Sequence, residues 1–178
     1  NPADAKGLLK SAIRDNDPVI FMESEQMYGD KGEVPEEEYL IPIGKAKVVQ
    51  EGDSVTIVSF GKIMKVALEA ATELKKDKIN AEVIDLRTIR PIDYDTIIAS
   101  VKKTNRCVLV EEAWPLCGMS TELAYSIQRL AFDYLDAPVI RVTAKDTPLA
   151  YSPVLIEEWL PNPARVIEAV RQVTYDKA

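Results

Sequence analysis

The stretch Arg106–Gln128, RCVLVEEAWPLCGMSTELAYSIQ, decides the fold. Cys107–Val110 is a short apolar run with no polar alternation, the pattern of a strand buried on both faces. It ends on two acids, Glu111 and Glu112, passes a loop holding Trp114-Pro115 and Gly118, and opens a helix near Ser120, whose hydroxyl suits an N-cap. In an open α/β sheet, ligand and partner sites gather where strands end and helices begin. Strand–helix units on both sides repeat the pattern, so this unit is expected at the middle of the sheet.

Upstream, Ala46–Gln50 reads as a short strand, Glu51-Gly52-Asp53 as a turn, and Ser54–Phe60 (SVTIVSF) as a β-branched strand. The spacing predicts a helix over Ile63–Lys76, with Ile63, Val66, Ala67, Ala70, Ala71 and Leu74 on one face. Lys75, Lys76 and Lys78 suit the negative pole of its dipole. Ala81–Leu86 (AEVIDL) is the next strand; Asp93 is a plausible N-cap for a helix over Tyr94–Lys103. Downstream come a helix over Ser120–Tyr134, a strand Val139–Val142, a long loop, and a helix Ala164–Val173 opened by Asn162-Pro163. Strands alternating with helices of this length give βαβ units, a mostly parallel sheet, and helices on both faces.

The N-terminus is different. Asn1-Pro2 opens a helix marked by Ala5, Leu8, Leu9, Ala12 and Ile13, and the residues before Pro18 stop it. Val19–Glu23 (VIFME) reads as a strand, and Gln26–Glu38 is a polar, acidic linker. A helix and one strand have no sheet of their own. Residues 1–38 are therefore expected to be the tail of another domain plus a linker, making the chain a fragment, with residues 39–178 as one α/β domain.

Composition narrows the function. The 178 residues are 47% hydrophobic and 29% charged, as in a globular protein. No apolar run approaches the roughly 20 residues of a membrane helix. Net charge is −7, which argues against nucleic acid and is compatible with a basic protein partner. There is no histidine, hence no Ser-His-Asp triad, histidine metal ligand or histidine base. Cys107 and Cys117 lack metal-ligand spacing, and a buried thiol is the plain reading of Cys107.

Seven stretches then occur in one order: Asp4–Gly29 (DAKGLLKSAIRDNDPVIFMESEQMYG), Ile41–Val48 (IPIGKAKV), Ile84–Asp93 (IDLRTIRPID), Lys103–Arg106 (KTNR), Glu111–Pro115 (EEAWP), Tyr134–Thr143 (YLDAPVIRVT) and Asp146–Tyr151 (DTPLAY). Together they resemble the C-terminal half of beta subunits of the pyruvate dehydrogenase first component, a thiamine-diphosphate-dependent decarboxylase. Branched-chain 2-oxo acid dehydrogenase beta subunits are the next nearest; RTIRPID and Trp114-Pro115 favour the pyruvate enzymes. The resemblance implies a three-layer α/β/α domain of the transketolase C-terminal type, with a mixed sheet of about five strands, preceded by a helix–strand remnant of a pyrimidine-binding domain. Ala46–Gln50 is the candidate edge piece. It also implies that the cofactor-activating glutamate and active-site histidine lie upstream, and that the alpha subunit holds diphosphate and magnesium. The chain alone is then expected to bind neither and to be inactive. Implied partners are the alpha subunit, a second beta subunit and the subunit-binding domain of the dihydrolipoyl acetyltransferase. The implied compartment is the bacterial cytoplasm, with the mitochondrial matrix as the alternative.

By the same resemblance, Ala12, Ile13, Asp15 and Asp17 mark a potassium site built largely from main-chain carbonyls, where unpartnered helix-end carbonyls and the dipole favour a cation. A plain helix stop is the structural alternative. Asp136 is the expected contact for the basic subunit-binding domain; otherwise it only caps a turn before Pro138. Trp114 is an interface anchor or a core tryptophan. Glu111 and Glu112 form a carboxylate pair, but adjacent strand residues point to opposite faces. Gly118 and Ser120 invite an anion or simply start a helix. Asp85, Arg87 and Arg90 read as an ion-pair cluster bracing the sheet, with Arg87 able to meet a partner's carboxylate. A stand-alone regulatory module without catalysis is the reading from a different class.

Overall fold

The computed structural model describes residues 1–175. Cys107–Val110 is a strand (β4) buried along its whole length, as a run without polar alternation requires. It pairs in parallel with Val55–Ser59 (β2) on one side and Ile140–Val142 (β5) on the other. β2 pairs in parallel with Ala81–Asp85 (β3), and Lys47–Gln50 (β1) closes the far edge antiparallel to β3. The order is β1-β3-β2-β4-β5, a mixed five-stranded sheet with its antiparallel strand at the edge. The middle strand is β2, not β4. The chain leaves β2 toward β3 on one side, crosses back to β4 on the other, and continues outward to β5. The sheet therefore grows in both directions from the β2–β4 pair.

Met64–Leu74 (α2) and Pro163–Thr174 (α6) cover one face, around Val55, Ile57, Leu74, Val83, Val166 and Val170. Tyr94–Thr104 (α3) and Met119–Ala131 (α4) cover the other, around Val58, Ile84, Leu86, Ile97, Leu109 and Ile127. Each fully buried side chain of this size contributes about 1.5–3 kcal/mol of transfer free energy. Three of the predicted caps form: Asn1, Asp93 and Asn162 each accept a backbone N–H in the first turn of their helix, at 2.9, 3.3 and 3.0 Å. Gly52 lets the turn before β2 pass against the backbone of Asn80–Glu82, where a Cβ would overlap main-chain atoms.

Three expectations are corrected. Val19–Glu23 is not a strand; it runs mostly exposed, with no ladder partner among the described residues, because an extended segment without a neighbour satisfies its backbone with water instead. The loop after β5 contains a seven-residue helix, Pro153–Trp159 (α5), opened by its proline. The helix expected from Ser120 to Tyr134 starts at Met119 and ends as α-helix at Ala131, and Phe132–Tyr134 tightens into a 3-10 turn.

The N-terminal helix Pro2–Arg14 (α1) is docked on the α/β body. Gly7 lies against Ile41 and Tyr39, close enough that a Cβ would come 2.6 Å from Ile41 Cγ1. The Ile41 amide donates to Gly7 O at 3.3 Å, Ser11 Oγ donates to Ile41 O at 2.6 Å, and Tyr39 Oη donates to Ala3 O at 2.7 Å. No helix among the described residues is long and apolar enough to cross a membrane.

Candidate functional site

The carboxyl end of the β2–β4 pair is the switch point of this sheet, where α/β proteins build sites. Two acids arrive there and part company. Glu112 turns to Lys62, just beyond β2, at 2.7 Å. Glu111 is buried, 2% exposed, and accepts hydrogen bonds from the Ser120 amide at 3.1 Å and from Ser120 Oγ. Gly118 packs directly on the Glu111 carboxylate and leaves no room for a Cβ. Ser120 is therefore not the N-cap. Gly118 holds that place, and Glu111 receives the free N–H from the strand end. Arg141 of β5 closes the loop by donating to Pro115 O at 3.0 Å and to Thr121 Oγ1. The arrangement is a helix-capping network, and the two acids do not share one site. Glu111 and Ser120 are nine residues apart, so no local spacing rule announces their contact.

The second cluster is rearranged. Asp85 accepts the Arg87 amide at 2.9 Å; burial pushes its carboxyl pKa up, and the charge of Asp4 adds to that. Arg87, in a left-handed conformation at φ 56°, pairs with Asp4 of α1 at 2.5 Å. Its Nε is buried without a hydrogen-bond partner among the described residues. Arg90 is exposed and stands outside the ion pairs among the described residues. The expected Asp85–Arg87–Arg90 cluster is thus Asp4–Arg87–Asp85: Arg90 lies past the turn and faces water, whereas α1 brings a carboxylate to the strand end.

Trp114 is half exposed, at 48%. Its Nε1 donates to Thr147 O at 2.9 Å, and Trp159 Nε1 donates to the same carbonyl at 2.8 Å. The two rings meet edge-to-face, with centroids 5.6 Å apart. Trp114 is thus both part of a clasp between two loops and a presented aromatic face. Leu116, Leu149, Tyr151, Val154 and Leu155 are exposed on the two segments that this clasp joins. Asp136 is exposed and pairs with Arg106 at 3.3 Å, a surface pair worth about 0–1 kcal/mol. Cys107 is buried, which pushes its thiol pKa up and leaves it unreactive. Cys117 is exposed in the loop.

Asp15 ends α1 with extended backbone, and its Oδ1 accepts the Asp17 amide at 2.9 Å. Ala12 and Ile13 lie in the last turn, and the Ile13 side chain is exposed. Main-chain carbonyls are the donors this helix end offers a cation. Among the described residues no group of three or more His, Cys, Asp or Glu side chains could hold a metal ion.

Residues 44–166 match the family described as transketolase, C-terminal domain. The chain is 53% identical over 172 residues to a pyruvate dehydrogenase E1 component subunit beta from Rickettsia felis, covering 97% of this chain and 53% of that protein. It is 46% identical over 178 residues to the beta subunit of acetoin:2,6-dichlorophenolindophenol oxidoreductase from Bacillus subtilis, covering 100% of this chain and 52% of that one. The chain spans about half the length of the curated relatives it matches. Among solved structures, a split-gene transketolase, described as an inactive beta4 tetramer, superposes with a TM-score of 0.69 at 28% identity, covering 78% of this chain and 45% of that one. By that family match and by the mixed sheet between its helix layers, the chain belongs to the transketolase C-terminal-domain family.

Proposed function

We propose that this chain is the C-terminal part of the beta subunit of a pyruvate dehydrogenase first component. The parent enzyme decarboxylates pyruvate and passes the acetyl group to lipoyl groups, using thiamine diphosphate and magnesium. The observation that carries this reading is 53% identity to a pyruvate dehydrogenase beta subunit over nearly the whole chain, against 46% to the acetoin enzyme. Residues 1–38 are, on this reading, the end of the pyrimidine-binding domain plus a linker. The segment's own work is assembly: contact with the alpha subunit and a second beta subunit, and docking onto the acetyltransferase. The exposed apolar side chains around Trp114 and Tyr151 support a contact role, and exposed Asp136 supports docking of a basic domain. The end of α1, at Ala12, Ile13, Asp15 and Asp17, would bind potassium through its carbonyls. The compartment is the bacterial cytoplasm, or the mitochondrial matrix.

An acetoin-cleaving parent is the second reading, favoured by the match that runs the full chain. Reconstitution separates the two. Combined with the upstream half of a pyruvate dehydrogenase beta subunit and its alpha subunit, the chain is expected to restore thiamine-diphosphate-dependent CO2 release from pyruvate. Alone it is expected to release none. Restored cleavage of acetoin without pyruvate turnover would move the assignment to the second reading, and turnover of branched-chain 2-oxo acids alone to that enzyme. CO2 from pyruvate with the chain alone would overturn the division of labour.

A further inference from the structure

The segment from Ser24 to Glu38 has six acids (Glu25, Asp30, Glu33, Glu36, Glu37, Glu38) and one base, Lys31. Apart from a 3-10 turn at Glu25–Met27 it has no regular structure, and most of its residues are exposed. A chain of this composition repels itself and has little apolar surface to bury. Yet it is held at four points, twice by a cation of the α/β body and twice by a cation of α1. Lys62 Nζ donates to Gln26 Oε1 at 3.0 Å. Lys65 pairs with Asp30 at 2.6 Å. Lys6 Nζ sits among the carbonyls of Pro35, Glu36 and Glu37, the last two at 3.4 and 3.1 Å, and lies 5.0 Å from the centre of the Tyr39 ring. Arg14 pairs with Glu38.

The position of these fasteners matters. Lys62 also pairs with Glu112 at 2.7 Å, so the same ammonium joins the carboxyl ends of β2 and β4 to the acidic segment. Lys65 lies in the first turn of α2, and Lys6 and Arg14 lie on α1. The segment thus runs between α1 and the opening of α2, past the switch point of the sheet. In other α/β sheets this crevice is left for a ligand.

We propose that residues 24–38 form an electrostatically fastened strap over the carboxyl end of the β2–β4 pair, closed at low ionic strength and released by salt. Closure holds Lys62, whose side chain is 19% exposed, between Gln26 and Glu112; release frees it from Gln26. This follows from the kind of fastening. Exposed ion pairs and ammonium–carbonyl contacts are individually weak and are screened when the Debye length falls from about 30 Å at 0.01 M salt to about 3 Å at 1 M. The two hydrophobic clusters that hold the sheet are not weakened by the same change.

Hydrogen exchange of the full chain, read by mass spectrometry at low and high salt, tests it, with rates normalised to an unstructured reference peptide. The expected result is several-fold faster exchange at high salt of the peptide holding the hydrogen-bonded amides of Met27, Tyr28 and Asp30, with peptides of β2, β3 and β4 unchanged. The variant Asp30→Asn, which alters only the strap, should show the faster exchange already at low salt. Lys65→Gln should do the same. Acylation of Lys62 by an amine-reactive reagent should accelerate in parallel. Strap exchange that is equally slow at both salts and in both variants, or already unprotected in the wild-type chain at low salt, would overturn the proposal. So would a Lys62 acylation rate indifferent to strap exchange.

Discussion

Asp93 serves two neighbours. Its carboxylate accepts the Thr96 amide at 3.3 Å and Thr96 Oγ1 at 2.9 Å, capping α3, and accepts the Ala46 amide at 3.1 Å next to β1. Burial alone would raise its pKa, but the bonds from Thr96 and Ala46 outweigh it and hold the carboxyl below its ordinary value. A depressed pKa in the folded state contributes stability above the unfolded value, about 3.9, and loses it as pH falls through the folded value. Asp93→Ala is therefore expected to cost about 1–2 kcal/mol at neutral pH. In urea titrations the gap to wild type should narrow as pH drops below about 4. A gap that stays constant with pH would show that the charge is not what stabilises. This cap was legible because Asp93 stands directly before an apolar-periodic run, just as Asn1-Pro2 and Asn162-Pro163 announce their helices. Ser120 looked equally suitable and is not a cap, because its partner Glu111 arrives from a strand. Local sequence carries local hydrogen bonds; it does not carry contacts made by the turn of the chain.

Elements follow the same division. The strands with β-branched, uninterrupted apolar runs and the helices with a clean apolar face were legible from period alone. The short α5 was not, since seven residues span about two turns and show no resolved periodicity. Val19–Glu23 has the composition of a strand, but composition provides no partner. The packing of α1 was equally hidden: the Asp4–Arg87 pair links residues 83 apart. With side-chain exposures of 9% and 13%, this pair is nearly buried. Removing one partner should cost roughly 3 kcal/mol, since the other charge is left without compensation. A double-mutant cycle with Asp4→Ala and Arg87→Ala is expected to give a coupling of about 0.5–3 kcal/mol, with amide exchange of α1 accelerated in each single variant. Additive effects would mean that α1 is held by its Gly7–Ile41 and Tyr39 contacts alone.

For the whole molecule, the alternation of strands and helices after residue 39, α5 apart, and the mixed sheet with an edge piece at Ala46–Gln50 are legible from alternating patterns and family resemblance. The centre of the sheet was misplaced by one strand, because crossover direction is not written in any one unit. The sites are less legible than the fold. Glu111, Arg87 and Trp114, singled out by residue type, turn out to brace a helix start, a docked helix and a pair of loops. Asp136 is outward-facing and charged, loosely held by Arg106. The docking role proposed for this chain is put to the test by calorimetric titration with the subunit-binding domain of a pyruvate dehydrogenase acetyltransferase. Binding is expected at low salt, weakening as salt rises and falling at least about tenfold, or about 1.4 kcal/mol, in Asp136→Ala. Absence of binding at low salt, or binding that is unchanged in Asp136→Ala, would contradict it.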